Sequence, residues 1–231
     1  MKVDLLKYMS DRLQEDSGNV EKAGPVVTIS RLHGCPAKSV AKLLAEELTR
    51  KMVAYGQANS EWRYVTKEIM SESARELEMD PKQIKYVFDY EQKSMIDDIL
   101  ASHSSKYYKS DRKIRNTIAR VIRNIAHEGN VVIVGRGGVA ITHDMPRSLH
   151  INLEAPLEWR LLRVSEKHEI SFEEAGKMIV DVDKKRKQFR EYFEGKNTDY
   201  TWFDLTFNCM TMSVEEIVKV VIKTMEIRKL L

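Results

Sequence analysis

The residues with the most to offer chemistry sit just past the first apolar run, in Ser30-Arg31-Leu32-His33-Gly34-Cys35-Pro36-Ala37-Lys38-Ser39. A loop that holds phosphate needs backbone N–H groups turned inward at a helix N-terminus, a lysine for the outer phosphates and a hydroxyl for magnesium. Lys38 and Ser39 supply the last two, and Gly34 gives the turn local freedom. The full glycine pattern would place glycines at 32 and 37, where this chain has Leu32 and Ala37, and Pro36 donates no N–H. On the loop alone two readings stay open, a nucleotide-binding loop and a plain strand-to-helix connection.

A second constellation is Val131-Val132-Ile133-Val134-Gly135-Arg136-Gly137-Gly138, an apolar run ending in a glycine-rich turn that presents one arginine. Ligands of open α/β sheets bind beyond the carboxyl ends of the strands, so Arg136 would face the same crevice as the loop and could grip a phosphate bidentately. An exposed turn arginine is the plainer alternative. Gly135, Gly137 and Ala140, with Glu154 farther on, also fit a dinucleotide fingerprint, although only about ten residues and Pro146 precede the next strand, too few for a crossover helix. Arg160 and Arg163 lie one helical turn apart, as do Asp183 and Arg186. Each pair alone reads as a surface face. Arriving together with Lys38 and Arg136, these arginines fit phosphoryl transfer, whose catalysis is mostly positioning and neutralising phosphate charge.

Other chemistries find no support. The histidines, His33, His103, His127, His143, His150 and His168, form no pair on one helix face with a neighbouring carboxylate, and no Gly-x-Ser-x-Gly elbow is present. Cys35 near a helix start has no identified base. Tyr86, Phe88, Tyr90, Tyr107 and Tyr108 could stack a base, or simply pack helices.

The elements that must position these residues read as a mainly parallel sheet with helices on both faces. Val26–Ile29, Val131–Val134, Ser148–Leu153 and Phe203–Phe207 are strand-like, and helical patterns separate them. Asp111 starts a helix carrying Ile114, Ile118, Val121, Ile122 and Ile125, which Gly129-Asn130 ends. Pro156 suits the first turn of another, and capping boxes at Ser171/Glu174 and Ser213/Glu216 start two more. Residues 51–110 read as a helical insert without a strand, with helices around Glu68–Glu78 and Gln83–Leu100. Residues 1–24 read as a helical extension with Leu5, Leu6, Met9 and Leu13 on one face, and 25–231 as a single domain.

Composition sets the outer bounds. No apolar run approaches the roughly 18 residues that a membrane span needs. A net charge of +3 is too mild to argue for nucleic acid, and Lys184-Lys185-Arg186-Lys187 reads as a solvated helix face. Two distant cysteines match neither a zinc spacing nor a redox pair, which points to a reducing cytoplasm. Nothing in the sequence speaks to oligomeric state.

Several of these segments, in order, resemble the cytidylate kinase-like family: Thr28-Ile29-Ser30-Arg31 with Gly34, Val132-Ile133-Val134-Gly135-Arg136-Gly137, Ala155-Pro156-Leu157-Glu158-x-Arg160, Asp183-x-x-Arg186 and Tyr192-Phe193-x-Gly195-Lys196. Phe203-Asp204-Leu205 through Ser213-Val214-Glu215-Glu216 is similar to that family's last strand and helix. The resemblance implies a three-layer P-loop kinase-like fold, with ATP and magnesium as cofactors and a small phosphate acceptor such as CMP. It places Gly34, Cys35, Ala37, Lys38 and Ser39 in the nucleotide loop, Ser39 on the metal, and Arg160 and Arg163 on the ATP side. Arg31 and Arg136 fall to the acceptor, Asp183 and Arg186 to a catalytic lid spanning about 165–200, and 51–110 to the acceptor region. Two departures stand out: cytidylate kinases carry an Asp where this chain has Gly137, and without a gap the family lysine aligns with Ala37 rather than Lys38. The competing class is a nucleotide-binding regulatory module without catalysis, and a less favoured one an NAD-binding protein.

Overall fold

The computed structural model describes residues 23–57, 59–66, 68–82, 111–194 and 200–231. Strands β1 (Val26–Arg31), β2 (Arg63–Val65), β3 (Val131–Val134), β4 (Ser148–Glu154) and β5 (Leu205–Asn208) form one sheet in the order β2-β3-β1-β4-β5. Every pairing is parallel. The first four residues of β1 and all of β3 are buried, as strands covered on both faces must be.

The covering helices are α1 (Ala37–Ala54), α2 (Glu68–Glu76), α3 (Asp111–Glu128), α4 (Gly138–Thr142), α5 (Leu157–His168), α6 (Phe172–Glu194) and α7 (Val214–Ile227). On one face Val40, Leu44, Leu48 and Met52 of α1 pack with Ile217, Val221 and Met225 of α7. On the other, Ile114, Ile118 and Ile122 of α3 pack with Ile69 and Ala74 of α2 and with Val131 and Ile133 of the sheet. Apolar stripes at helical spacing thus meet both faces, giving the three-layer P-loop kinase-like arrangement.

Two contacts fix how the strands align. Thr28 and His150, paired residues of β1 and β4, are each no more than 2% exposed and join Oγ1 to Nδ1 at 2.7 Å. A one-residue slip would leave both polar groups buried without that partner, which costs more than the bond itself gains. At the amino ends of β1 and β3, Gly24 and Gly129 touch so closely that a Cβ on either would overlap the backbone of the other.

Both capping boxes form: the Ser171 N–H donates to Glu174 Oε2 at 3.0 Å, and the Ser213 N–H to Glu216 Oε2 at 2.8 Å. The sheet differs from expectation in three places. Residues 63–65 form an edge strand where no strand was expected, held by the Trp62 N–H donating to Thr49 Oγ1 at 2.9 Å. β5 begins at Leu205, because Tyr200–Trp202 takes a 3-10 turn ahead of it. β3 and β4 are separated by β1, and the helix between them has five residues, so no dinucleotide-type strand–helix–strand unit exists at Gly135, Gly137 and Ala140. The segment before residue 23, the stretch Gln83–Leu100, His103, Tyr107, Tyr108 and Gly195-Lys196 lie outside the described residues.

Candidate functional site

The loop from Leu32 to Pro36 joins the end of β1 to α1. Three of its N–H groups, and that of Ala37 at the start of α1, are already engaged inside the protein. Leu32 donates to the Leu153 carbonyl at 2.9 Å, Cys35 to Leu32 at 3.3 Å and Ala37 to Cys35 at 2.9 Å, while His33 donates to Asp183 Oδ1 at 2.7 Å. Gly34 has φ +95°, and a Cβ there would press on the Cβ of Arg160 at 3.1 Å, so glycine is required on two counts. Pro36 occupies the N-cap of α1, where its missing N–H costs nothing. Ala37 is buried, Cys35 is partly buried, and Lys38 and Ser39 are exposed in the first turn of α1.

Asp183 of α6 ties this loop to α5. Its Oδ2 accepts from Arg160 Nη1 at 2.8 Å, and Arg160 also donates to the carbonyls of His33 at 3.2 Å and Ala155 at 3.1 Å. Arg160 is only 8% exposed, so every one of these contacts is shielded from water. Arg160 and Arg163, expected to act together, are parted. Arg163 is exposed, with its guanidinium 4.6 Å from the centre of the Trp159 ring, whereas Arg160 is engaged with protein carbonyls and Asp183. Likewise Asp183 lies 3.7 Å from its helical neighbour Arg186, farther than from Arg160 on the other helix.

Three of the expected residues do come together. Arg31 at the end of β1, Arg136 in the turn after β3 and Arg186 of α6 line one cavity of about 360 Å³ at the carboxyl ends of the strands. Lys185 and Arg190 join them, and sequence reasoning missed both. The signal was there, since Arg186 and Arg190 are four apart on one helix and share a face. The Gly135-Arg136-Gly137 turn has φ of +71°, +56° and +70°, and this is tolerable for the arginine only because the flanking packing dictates it. A Cβ at 135 would overlap the Arg31 guanidinium, and one at 137 would meet the rings of Phe193 at 3.1 Å and Phe189 at 3.3 Å. The Arg136 Nε donates to the Thr66 carbonyl at 3.4 Å.

The cavity carries more positive than negative charge: Asp181 is its one acidic lining residue, and it pairs with Lys185 at 3.0 Å. Burial, then the neighbouring Arg186 and Arg136, push Arg31 down to about 9, only partly opposed by Asp183. Burial also lowers Arg186, against the pull of Asp183. His33 is driven down to about 4 by burial and then by Arg186. Guanidiniums crowded until they repel one another, in a cleft at a sheet's carboxyl edge, are the electrostatic mark of an anion site. Among the described residues no group of three or more His, Cys, Asp or Glu side chains could hold a metal ion.

Comparison with known proteins gives the family. Residues 26–211 match the family model described as the cytidylate kinase-like family. The chain belongs to that family. Two relatives are named cytidylate kinase. That of Methanocaldococcus jannaschii is 25% identical over 199 residues, covering 85% of this chain and 94% of the relative. That of Methanopyrus kandleri is 27% identical over 201 residues, covering 83% and 88%. Among solved structures, an uncharacterized protein from Eubacterium ventriosum superposes with a TM-score of 0.62 at 21% identity, over 87% of this chain and 98% of that one, and shares the fold. Membership also counts against the dinucleotide reading, in line with the strand order.

Proposed function

We propose that this chain transfers the terminal phosphoryl group of ATP, with magnesium, to a small phosphate-bearing acceptor, with CMP the first candidate. The observation that carries the reading is the meeting of Arg31, Arg136 and Arg186, from three separate elements, in one cavity beyond β1 and β3. A phosphoryl group in flight spreads its charge over three oxygens, and converging guanidiniums stabilise that charge where it develops.

On the donor side, the Asp183 carboxylate on the His33 N–H marks where an oxyanion fits the loop. ATP binding then requires Asp183 to leave that N–H, a movement of α6 against the loop that amounts to lid opening. Lys38, at the positive end of α1, would meet the outer phosphates, and the Ser39 hydroxyl would face magnesium, which takes its other ligands from phosphate and water. Magnesium supplies further neutralisation of phosphate charge. Recognition of the acceptor base does not use a carboxylate at 137, because Phe193 and Phe189 fill the space a side chain there would need. A site reading in the cytoplasm goes with the two free thiols and with the lack, among the described residues, of any helix able to cross a membrane.

One observation favours a second reading, a nucleotide-binding regulatory module. The N–H groups of Leu32, His33 and Cys35 are engaged internally and Arg160 is locked to Asp183, so the donor site as built is closed. A coupled assay of ATP consumption, screened over nucleoside monophosphates and other small phosphate or hydroxyl acceptors, separates the two. Turnover with an acceptor supports the kinase; ATP binding by calorimetry without turnover on any acceptor supports the module.

A further inference from the structure

One pair of reactive side chains takes no part in the cavity or in the Arg160–Asp183 tie. Cys35 lies in the loop between β1 and α1, Cys209 just past the end of β5, and both are free thiols. The sheet explains how they meet. β4 lies between β1 and β5, and at its end the Leu153 carbonyl accepts the Leu32 N–H while the Glu154 carbonyl accepts the Cys209 N–H at 2.7 Å. The chains leaving β1 and β5 are thus pinned to consecutive carbonyls of one strand. Both side chains pack on the same apolar cluster, Cys209 within it and Cys35 against it, and each thiol feels the other. Cys209 is 6% exposed and Cys35 is more open.

We propose that Cys35 and Cys209 are an oxidation site, at which hydrogen peroxide forms a disulfide that staples the loop to the end of β5. The thiolate of Cys35, the more open of the two, attacks one peroxide oxygen, the O–O bond breaks, and hydroxide leaves with a sulfenic acid on Cys35. The sulfur of Cys209 then attacks the Cys35 sulfur, the S–O bond breaks, and the oxygen departs as water with the released proton. In sum two thiols and one peroxide give one disulfide and two waters, the sulfurs losing the two electrons that the oxygens gain.

The consequence rests on the kinase reading. Phosphate binding requires the loop N–H groups to turn away from their internal partners, and a crosslink at Cys35 holds the loop in its closed form. To test this, the full chain, freed of reductant, is treated with hydrogen peroxide and digested without reduction. The expected result is a linked peptide joining Cys35 to Cys209, removed by dithiothreitol, with slower amide exchange over residues 32–39. ATP affinity should fall at least tenfold, about 1.4 kcal/mol, and return on reduction. Cys209→Ala, or Cys209→Ser, should give no linked peptide and keep its ATP affinity under the same oxidant. The staple is overturned by intact thiols after peroxide treatment, or by a linked peptide with unchanged loop exchange. A linked chain that binds ATP like the reduced one overturns its control of the site. If the reduced chain binds no ATP, it is the kinase reading that fails, and the linked peptide and amide exchange still decide the staple.

Discussion

The loop after β1 and the turn after β3 leave neighbouring strands at the same edge of the sheet, yet they are built on opposite plans. The turn keeps its glycines and crowds arginines into one cavity. The loop lacks two glycines of the full pattern and engages three of its N–H groups internally. The turn thus gathers positive charge, while the loop is bound by the Asp183 carboxylate. Asp183 joins the two regions, since it bonds the loop at His33 and also faces Arg186 of the cavity. A ligand that displaces it would open the loop and shift the field felt by the arginines together.

The sharpest way to break the contrast is to remove that link. Asp183→Ala leaves Arg160 buried without its carboxylate, which should cost about 3–5 kcal/mol of stability. Urea denaturation reads the loss directly, and a midpoint equal to the parent's would mean that the tie between loop and helix is not formed in solution. Arg136→Ala comes next and acts on the turn alone. Acceptor use should weaken by about 1.5–3 kcal/mol, the worth of a charged hydrogen-bonded contact, while ATP binding stays nearly unchanged. Equal loss of both ligands in calorimetry would merge the two regions into one site. Lys38→Met tests the loop by itself. It keeps the apolar stem and removes the point charge, so ATP affinity should drop about tenfold, or 1.4 kcal/mol, with little change in folding. Unaltered ATP binding by this variant would take the nucleotide away from the loop.

The smallest effect concerns His33. Its pKa is depressed when folded, to about 4, so the neutral form is favoured by folding. Its contribution is fully present above the unfolded value of about 6.5 and is lost as pH falls from there through about 4, because the unfolded chain takes up the proton first. His33→Gln should flatten stability against pH in that window and leave it unchanged above pH 7. A parallel pair of curves would show that neither burial nor Arg186 holds the ring neutral.

Much of this was legible in the sequence because the deciding interactions are local. β3 announces itself as a run apolar at every position and β1 opens on four β-branched residues, while Ser171/Glu174 and Ser213/Glu216 mark helix starts within four residues. β2 was not legible. It is three residues long, exposed at Arg63 and without alternation, and only its pairing with β3 makes it a strand. At the site, Arg136 was legible because it sits in a glycine-rich turn after an apolar run and Arg186 because it shares a helix face with Asp183, whereas Arg31 came only with the family resemblance. The true partner of Asp183 was not, because helical spacing points to Arg186 on the same helix whereas the shorter ion pair reaches Arg160 on α5. Sequence spacing reports which residues share a face, not which face meets which.

The touching glycines at the far end of the sheet have a genetic consequence. A methyl on Gly24 or on Gly129 would force the starts of β1 and β3 apart, at the cost of about 1–3 kcal/mol that overpacking brings. Once one methyl has opened that gap, the second finds the space already made. The two substitutions should therefore show positive epistasis, with the double variant losing less than the sum of the singles. What remains of the second penalty is conformational and belongs to position 129 alone, whose φ of +76° any side chain resists.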